Sequence, residues 1–179
     1  MHKRNRPQSG RNRAAAIVVA KGHVLLMERQ RPGTSIYYVF PGGEVEKHET
    51  PRTAAQRELH EETGLRGRVI KRVITSRTIS GGRQDYFLVQ APFLPVAVPR
   101  AAPERSPAYR QSRGLTRPVW IPISSIFRLR IFPPEMRRVL RRFLHDGFPA
   151  SVVNLGTVGF REKVLRTSKQ NEQLARAAR

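Results

Sequence analysis

Residues 43–65 read Gly43-Glu44-Val45-Glu46-Lys47-His48-Glu49-Thr50-Pro51-Arg52-Thr53-Ala54-Ala55-Gln56-Arg57-Glu58-Leu59-His60-Glu61-Glu62-Thr63-Gly64-Leu65. This segment contains a helix with legible ends. Thr50 offers a side-chain oxygen to cap the first turn, and Pro51 suits the first helical position, where no N–H is needed. Gly64 fits the left-handed position just past a helix end. Between them, Ala55 and Leu59 stand at i and i+4 and form a buried stripe. Glu58, Glu61 and Glu62 are related as i, i+3 and i+4, so their side chains share one face. Like charges stacked in this way weaken a helix unless something neutralises them.

The balance of charge sharpens that observation. The chain of 179 residues carries 34 Lys and Arg against 13 Asp and Glu, for a net charge of +21. Six of the 13 acids (Glu44, Glu46, Glu49, Glu58, Glu61 and Glu62) fall between positions 44 and 62. A basic chain that gathers its carboxylates into one short segment points to a cation site, and hard carboxylate oxygens suit Mg²⁺ or Mn²⁺. The competing reading is a solvated acidic face with i,i+4 partners such as Arg57 and Glu61. Of the basic residues 28 are Arg, whose planar fork binds phosphate and never deprotonates. Such a field draws in polyphosphates, nucleotides or nucleic acid. Genomic bias toward Arg would give the same composition, so charge by itself assigns no partner.

Other classes are excluded by composition. There is no Cys, which removes disulfides, thiolate metal sites and Cys nucleophiles. No apolar run approaches the ~20 residues that span a bilayer. The basic N-terminus lacks the continuous apolar segment of a secretory signal, so a cytoplasmic location is expected.

Residues 1–13, with five Lys or Arg and no acid, read as a basic disordered arm. One domain is expected over 14–150, and a basic C-terminal extension over 151–179. Within the domain, Ala14 to Met27 reads as two strands around the turn Lys21-Gly22-His23, and Ile36 to Phe40 as a third. Val69 to Thr75 and Tyr86 to Ala91 follow as strands joined at Gly81-Gly82. The Pro-rich residues 92–118 read as one long irregular loop. Val119 to Ile123 returns to strand, Pro134 to His145 reads as an amphipathic helix, and Val152-Val153 as a final short strand.

Written generally, the opening segment is G-x5-E-x7-R-E-U-x-E-E-x-G-U, with U a bulky aliphatic. Chance would produce this pattern with odds on the order of 10⁻⁷. It resembles a complete Nudix box. The lead-in Tyr38-Val39-Phe40-Pro41-Gly42-Gly43 fits the same family, although many members have Trp where Tyr38 stands. Ala102-Pro103-Glu104 and Val119-Trp120-Ile121-Pro122-Ile123 resemble the loop and late strand of small Nudix hydrolases. The resemblance implies an α+β fold, an α/β/α sandwich with a mixed central sheet and the box as loop-helix-loop.

It also implies a reaction: hydrolysis of a phosphoanhydride in a nucleoside diphosphate linked to another moiety, with Mg²⁺ or Mn²⁺ as cofactor. By resemblance the metal ligands are the Gly42 carbonyl, Glu58 and Glu62, with Glu61 holding a further cation, and Glu49 with Arg57 is the supporting pair that orients the acids. Gly42 and Gly43 would allow a close backbone approach that a Cβ would block. Two carboxylates compete for the role of general base. In some members it is the Glu after the box Arg, here Glu58; in others it lies on a distant loop, where Glu104 is the candidate. Arg29, Arg31 and Arg77 are candidates for substrate phosphates, and Tyr37, Tyr38 and Phe87 for stacking on a base. The implied partner is a small nucleotide. RNA 5′-end processing through the basic tails and a non-catalytic nucleotide-binding module are the alternatives, and a homodimer is expected by family analogy.

Overall fold

The structure is a computed structural model and describes residues 10–99 and 106–158. The backbone begins with a strand that is apolar at every position after its first residue. β1 (Arg13–Ile17) has the sequence Arg-Ala-Ala-Ala-Ile, and its last four residues are buried. Burial on both faces is the signature of a central strand covered by helices on either side. Ala14, Ala16 and the following Val18 pack with Ala54, Ala55 and Leu59, whereas Ala15 and Ile17 pack with Met136, Leu140 and Phe143. Alternate side chains of one strand therefore belong to two different cores.

The two helices that supply those cores are α1 (Pro51–Thr63) and, later in the chain, α3 (Glu135–Asp146). Between them lies a five-stranded mixed sheet. In it β5 (Gly42–Glu44) runs antiparallel to β1, and β7 (Arg83–Gln90) runs parallel to β1 on the other side. β6 (Arg68–Thr78) is antiparallel to β7, and β9 (Val153–Val158) closes the sheet in parallel with β6. A second, antiparallel sheet is built on β3 (His23–Gln30). It pairs with β2 (Val19–Ala20) and β4 (Tyr37–Val39) on one edge and with β8 (Leu115–Pro122) on the other. The helices α2 (Pro107–Arg113) and a 3₁₀ turn at Ile123–Arg128 complete the described elements. The α+β sandwich with a mixed sheet is present, with part of the expected central sheet set apart as the β3-centred sheet. No helix among the described residues is long and apolar enough to cross a membrane.

Both ends of α1 form as the sequence predicts. Thr50 accepts from the Thr53 amide, Thr53 reciprocates to the Thr50 amide, and Gly64 adopts φ 76° with its N–H on the His60 carbonyl. The left-handed φ is one that Gly reaches without a Cβ penalty.

Three boundaries move. The expected arm of residues 1–13 gives way to ordered chain from residue 10 onward. The Gly10 amide donates to the Ser80 carbonyl, the Val45 amide to the Asn12 carbonyl, and the Arg83 amide to the Asn12 side chain. Backbone pairing fixed these residues, and polar composition does not report it. Residues 1–9 lie outside the described part. At the other end, the boundary at 150 falls short, because β9 adds itself to the β6 edge and buries Val158; residues 159–179 lie outside the described part. The expected loop over 92–118 holds a helix and the first half of β8. Ser106 caps α2 by accepting from the Tyr109 amide, and Pro118 is tolerated because β8 pairs on one side with β3. Residues 91–99 are irregular, pinned where Trp120 donates Nε1–H to the Leu94 carbonyl and stacks near Phe93.

β5 approaches β1 so closely that position 42 has no room for a side chain. A Cβ there would lie 2.4 Å from the Ala14 carbonyl oxygen and 2.7 Å from the Ala15 Cα. Because both neighbours are backbone, Gly42→Ala is expected to cost about 1–3 kcal/mol of stability, as overpacking does. Urea unfolding of the two proteins measures it. Equal stability would mean that β5 does not approach β1 as described.

Candidate active site

α1 presents its acidic face to β5, and one arginine organises the contact. Arg57 Nε and Nη2 donate to the two oxygens of Glu49, each at 3.0 Å, in a bidentate fork. Nη2 also reaches the Glu44 carbonyl at 2.9 Å, and Nη1 donates to Glu58 Oε1 and Glu61 Oε2 at 2.9 Å each. This bonding holds Glu49 below the usual carboxylate range, chiefly through the Arg57 hydrogen bonds, and it raises the already high Arg57 pKa further. The expected pairing of Glu49 with Arg57 is thus present, and Arg57 also holds two of the predicted metal ligands.

Glu58 sits in a tight place. A Cβ on Gly43 would fall 2.0 Å from Glu58 Oε1, so the bare glycine leaves the space that the carboxylate fills. Burial pushes the Glu58 carboxyl up, and the neighbouring Arg57 offsets only part of that rise. Glu62 is buried. Its Oε2 accepts from the Gly42 amide at 2.8 Å and its Oε1 from Arg29 Nη2 at 2.9 Å. Glu61 is the exposed member, with a side chain 55% accessible. The Gly42 carbonyl, the fourth expected ligand, accepts from Arg13 Nη2 at 3.2 Å.

The donor set fits a hard divalent cation, since it consists of three carboxylates and a carbonyl on adjoining elements. Among the described residues no three acidic or imidazole side chains converge on one point. Arg57 engages one oxygen of Glu58 and one of Glu61, whereas both oxygens of Glu62 are engaged, by Arg29 and by the Gly42 amide.

A cavity of about 630 Å³ adjoins Gly42. Arg13, Arg29 and Arg31 line it together with Tyr37, Phe40, Tyr86 and Phe132, and no carboxylate does so. Hydrogen-bonding groups come from Thr78, Ser80 and Gln84. Of the residues proposed from sequence for substrate contact, Arg29, Arg31 and Tyr37 lie here. Tyr38 does not, because β4 alternates. Its hydroxyl donates to Glu28, which also holds Arg117, on the face away from Tyr37. Phe87 is buried in the α1 core and Arg77 is exposed. Asp85 is buried within β7 and paired with Arg83 and Arg72. Glu104 lies outside the described residues. Arg13 was missed by sequence reading. It belongs to the site because strand register sets it between Glu44 and Gln84, and register has no local sequence signal.

Comparison with solved structures supports the same fold. A NUDIX hydrolase from Nitrosomonas europaea is 18% identical with a TM-score of 0.64, covering 86% of this chain and 81% of that one. The ORF135 protein of E. coli is 22% identical with a TM-score of 0.55, covering 79% and 94%. The mutator MutT protein from Bacillus halodurans is 20% identical with a TM-score of 0.57, covering 86% and 92%. Comparison with curated proteins by sequence finds no match. The family model of the NUDIX domain matches residues 10–143, which takes in β1, the acidic helix, the cavity strands and most of α3, and the chain belongs to the NUDIX family of hydrolases.

Proposed function

We propose that the chain hydrolyses a phosphoanhydride bond of a small nucleotide, a nucleoside diphosphate linked to another moiety, with Mg²⁺ or Mn²⁺ as cofactor. The family as a whole acts on that substrate class. The observation that carries the reading for this chain is one adjacency. The carboxylates of α1 and an acid-free, arginine-lined cavity meet at Gly42. About 630 Å³ lies within the range of small-molecule sites. Its arginines suit the phosphate oxygens, and its aromatic walls suit a base or sugar.

Glu58, Glu61, Glu62 and the Gly42 carbonyl would hold the cation, which when bound neutralises phosphate charge and polarises the bond under attack. Arg57, fixed by Glu49 and the Glu44 carbonyl, orients Glu58 and Glu61. Glu58 is the favoured general base. Glu104, which precedes α2 in the sequence, is the alternative base.

The direct test is phosphate release from a panel, with and without Mg²⁺. The panel contains dNTPs, an oxidised dGTP, ADP-ribose, a dinucleoside tetraphosphate, a UDP-sugar and capped RNA. One member is expected to turn over only with the metal, and capped RNA as that member would favour 5′-end processing. Glu62→Gln is expected to lower turnover by at least about 100-fold, because even groups behind a metal ligand are worth about 10–100-fold. An undiminished rate in that variant would remove the proposed cation site.

Gly43→Ala makes a separate prediction. The group that its Cβ meets is the flexible Glu58 carboxylate, so the fold should survive while Glu58 is displaced. The expected result is a melting temperature within a few degrees of wild type and a kcat about tenfold lower or less. Full activity would show that the place of Glu58 beside Gly43 is immaterial.

A further inference from the structure

Each group proposed to hold the cation has a guanidinium on one of its oxygens, and the three arginines are not equivalent. Arg57 is anchored independently by its fork on Glu49 and by the Glu44 carbonyl, so its place does not depend on Glu58 or Glu61. Arg29 is held differently. Its Nη2 donates to Glu62 Oε1 at 2.9 Å, while its Nε is buried with no partner among the described residues. Its side chain, like that of Arg13 on the Gly42 carbonyl, lines the arginine-rich cavity. A buried donor without a partner costs free energy that a ligand oxygen would recover. A guanidinium on Glu62 also opposes a divalent cation at the same carboxylate, both by charge and by occupying Oε1.

We infer that Arg29 is a resident counter-ion of the cation site. It neutralises buried Glu62 until a divalent cation takes over that charge, and it then turns into the cavity to meet an anionic oxygen of the substrate. Arg13 performs the same exchange at the Gly42 carbonyl. The inference rests on the phosphoanhydride reading and adds to it an ordered dependence between cation and anion. An anion that draws Arg29 away strengthens cation binding, and by reciprocity the cation strengthens anion binding. A fixed ion pair between Arg29 and Glu62 would produce no such coupling.

The experiment is calorimetric titration of the full chain with Mn²⁺, repeated with sulfate as a weakly chelating tetrahedral anion. Thermal melts with and without Mn²⁺ accompany it. Arg29→Gln is expected to bind Mn²⁺ on the order of tenfold more tightly than wild type in the absence of sulfate. It should melt lower than wild type without metal, because Glu62 has lost the Arg29 guanidinium, and gain more on adding Mn²⁺. Arg29→Lys keeps the charge and should stay near wild type. Sulfate should tighten Mn²⁺ binding to wild type by a larger factor than to Arg29→Gln, where only Arg13 is left to exchange, and the wild-type arm needs no variant to fold. Unchanged or weaker Mn²⁺ binding in Arg29→Gln, with binding abolished in Glu62→Gln, overturns the inference and leaves the cation site standing. Intact Mn²⁺ binding in Glu62→Gln instead removes the cation site itself, and the inference with it.

Discussion

The close approach of β5 to both β1 and α1 is the constraint on which the site depends. A side chain at 42 would strike the backbone of β1, and one at 43 would strike Glu58. With both absent, a three-residue strand fits beside β1, and its backbone enters the chemistry directly. The Gly42 amide holds Glu62, and its carbonyl faces Arg13. The acidic face of α1 is then positioned by backbone atoms that have no rotamers to lose. Rigid support of this kind keeps reacting groups within the narrow tolerances that catalysis requires.

Against that rigid frame, charge is arranged so that it can be exchanged. Buried and half-buried carboxylates would be costly alone, and each is compensated by an arginine: Glu58 by Arg57 of the same helix, which also holds the exposed Glu61, and Glu62 by Arg29 from the neighbouring sheet. Arg57 and Arg29 together explain how a helix tolerates three glutamates on one face, since Arg57 holds Glu58 and Glu61 and Arg29 holds Glu62. The same excess of arginine that makes the composition hard to read is, at this location, what keeps the acidic cluster soluble in the protein interior.

Much of this was legible in the sequence where the signal is local. Thr50, Pro51 and Gly64 marked the ends of α1 because capping depends on neighbours within four residues. Glu49 and Arg57 stood out because their spacing is fixed by a single loop and helix. What stayed hidden was set by pairing over long distances. Arg13 looked like part of a basic tail until strand register placed it beside Gly42, and the hold of Arg29 on Glu62 joins residues 33 apart. Pro118 suggested a loop because composition does not reveal which edge of a strand is free. The fate of Tyr37 and Tyr38 turned on the parity of a three-residue strand, which adjacent tyrosines cannot disclose.

The three consecutive alanines of β1 have a consequence beyond packing. Because Ala14 and Ala16 face α1 while Ala15 faces the opposite core and the cavity wall, the strand is a spacer whose thickness is set by single methyl groups. Growth at an even position would lift the carboxylate-bearing helix away from β5, whereas growth at position 15 would fill the recess beside Gly42. One short strand thus sets two lengths independently: how near the acids stand to the backbone, and how deep a molecule can enter beside them.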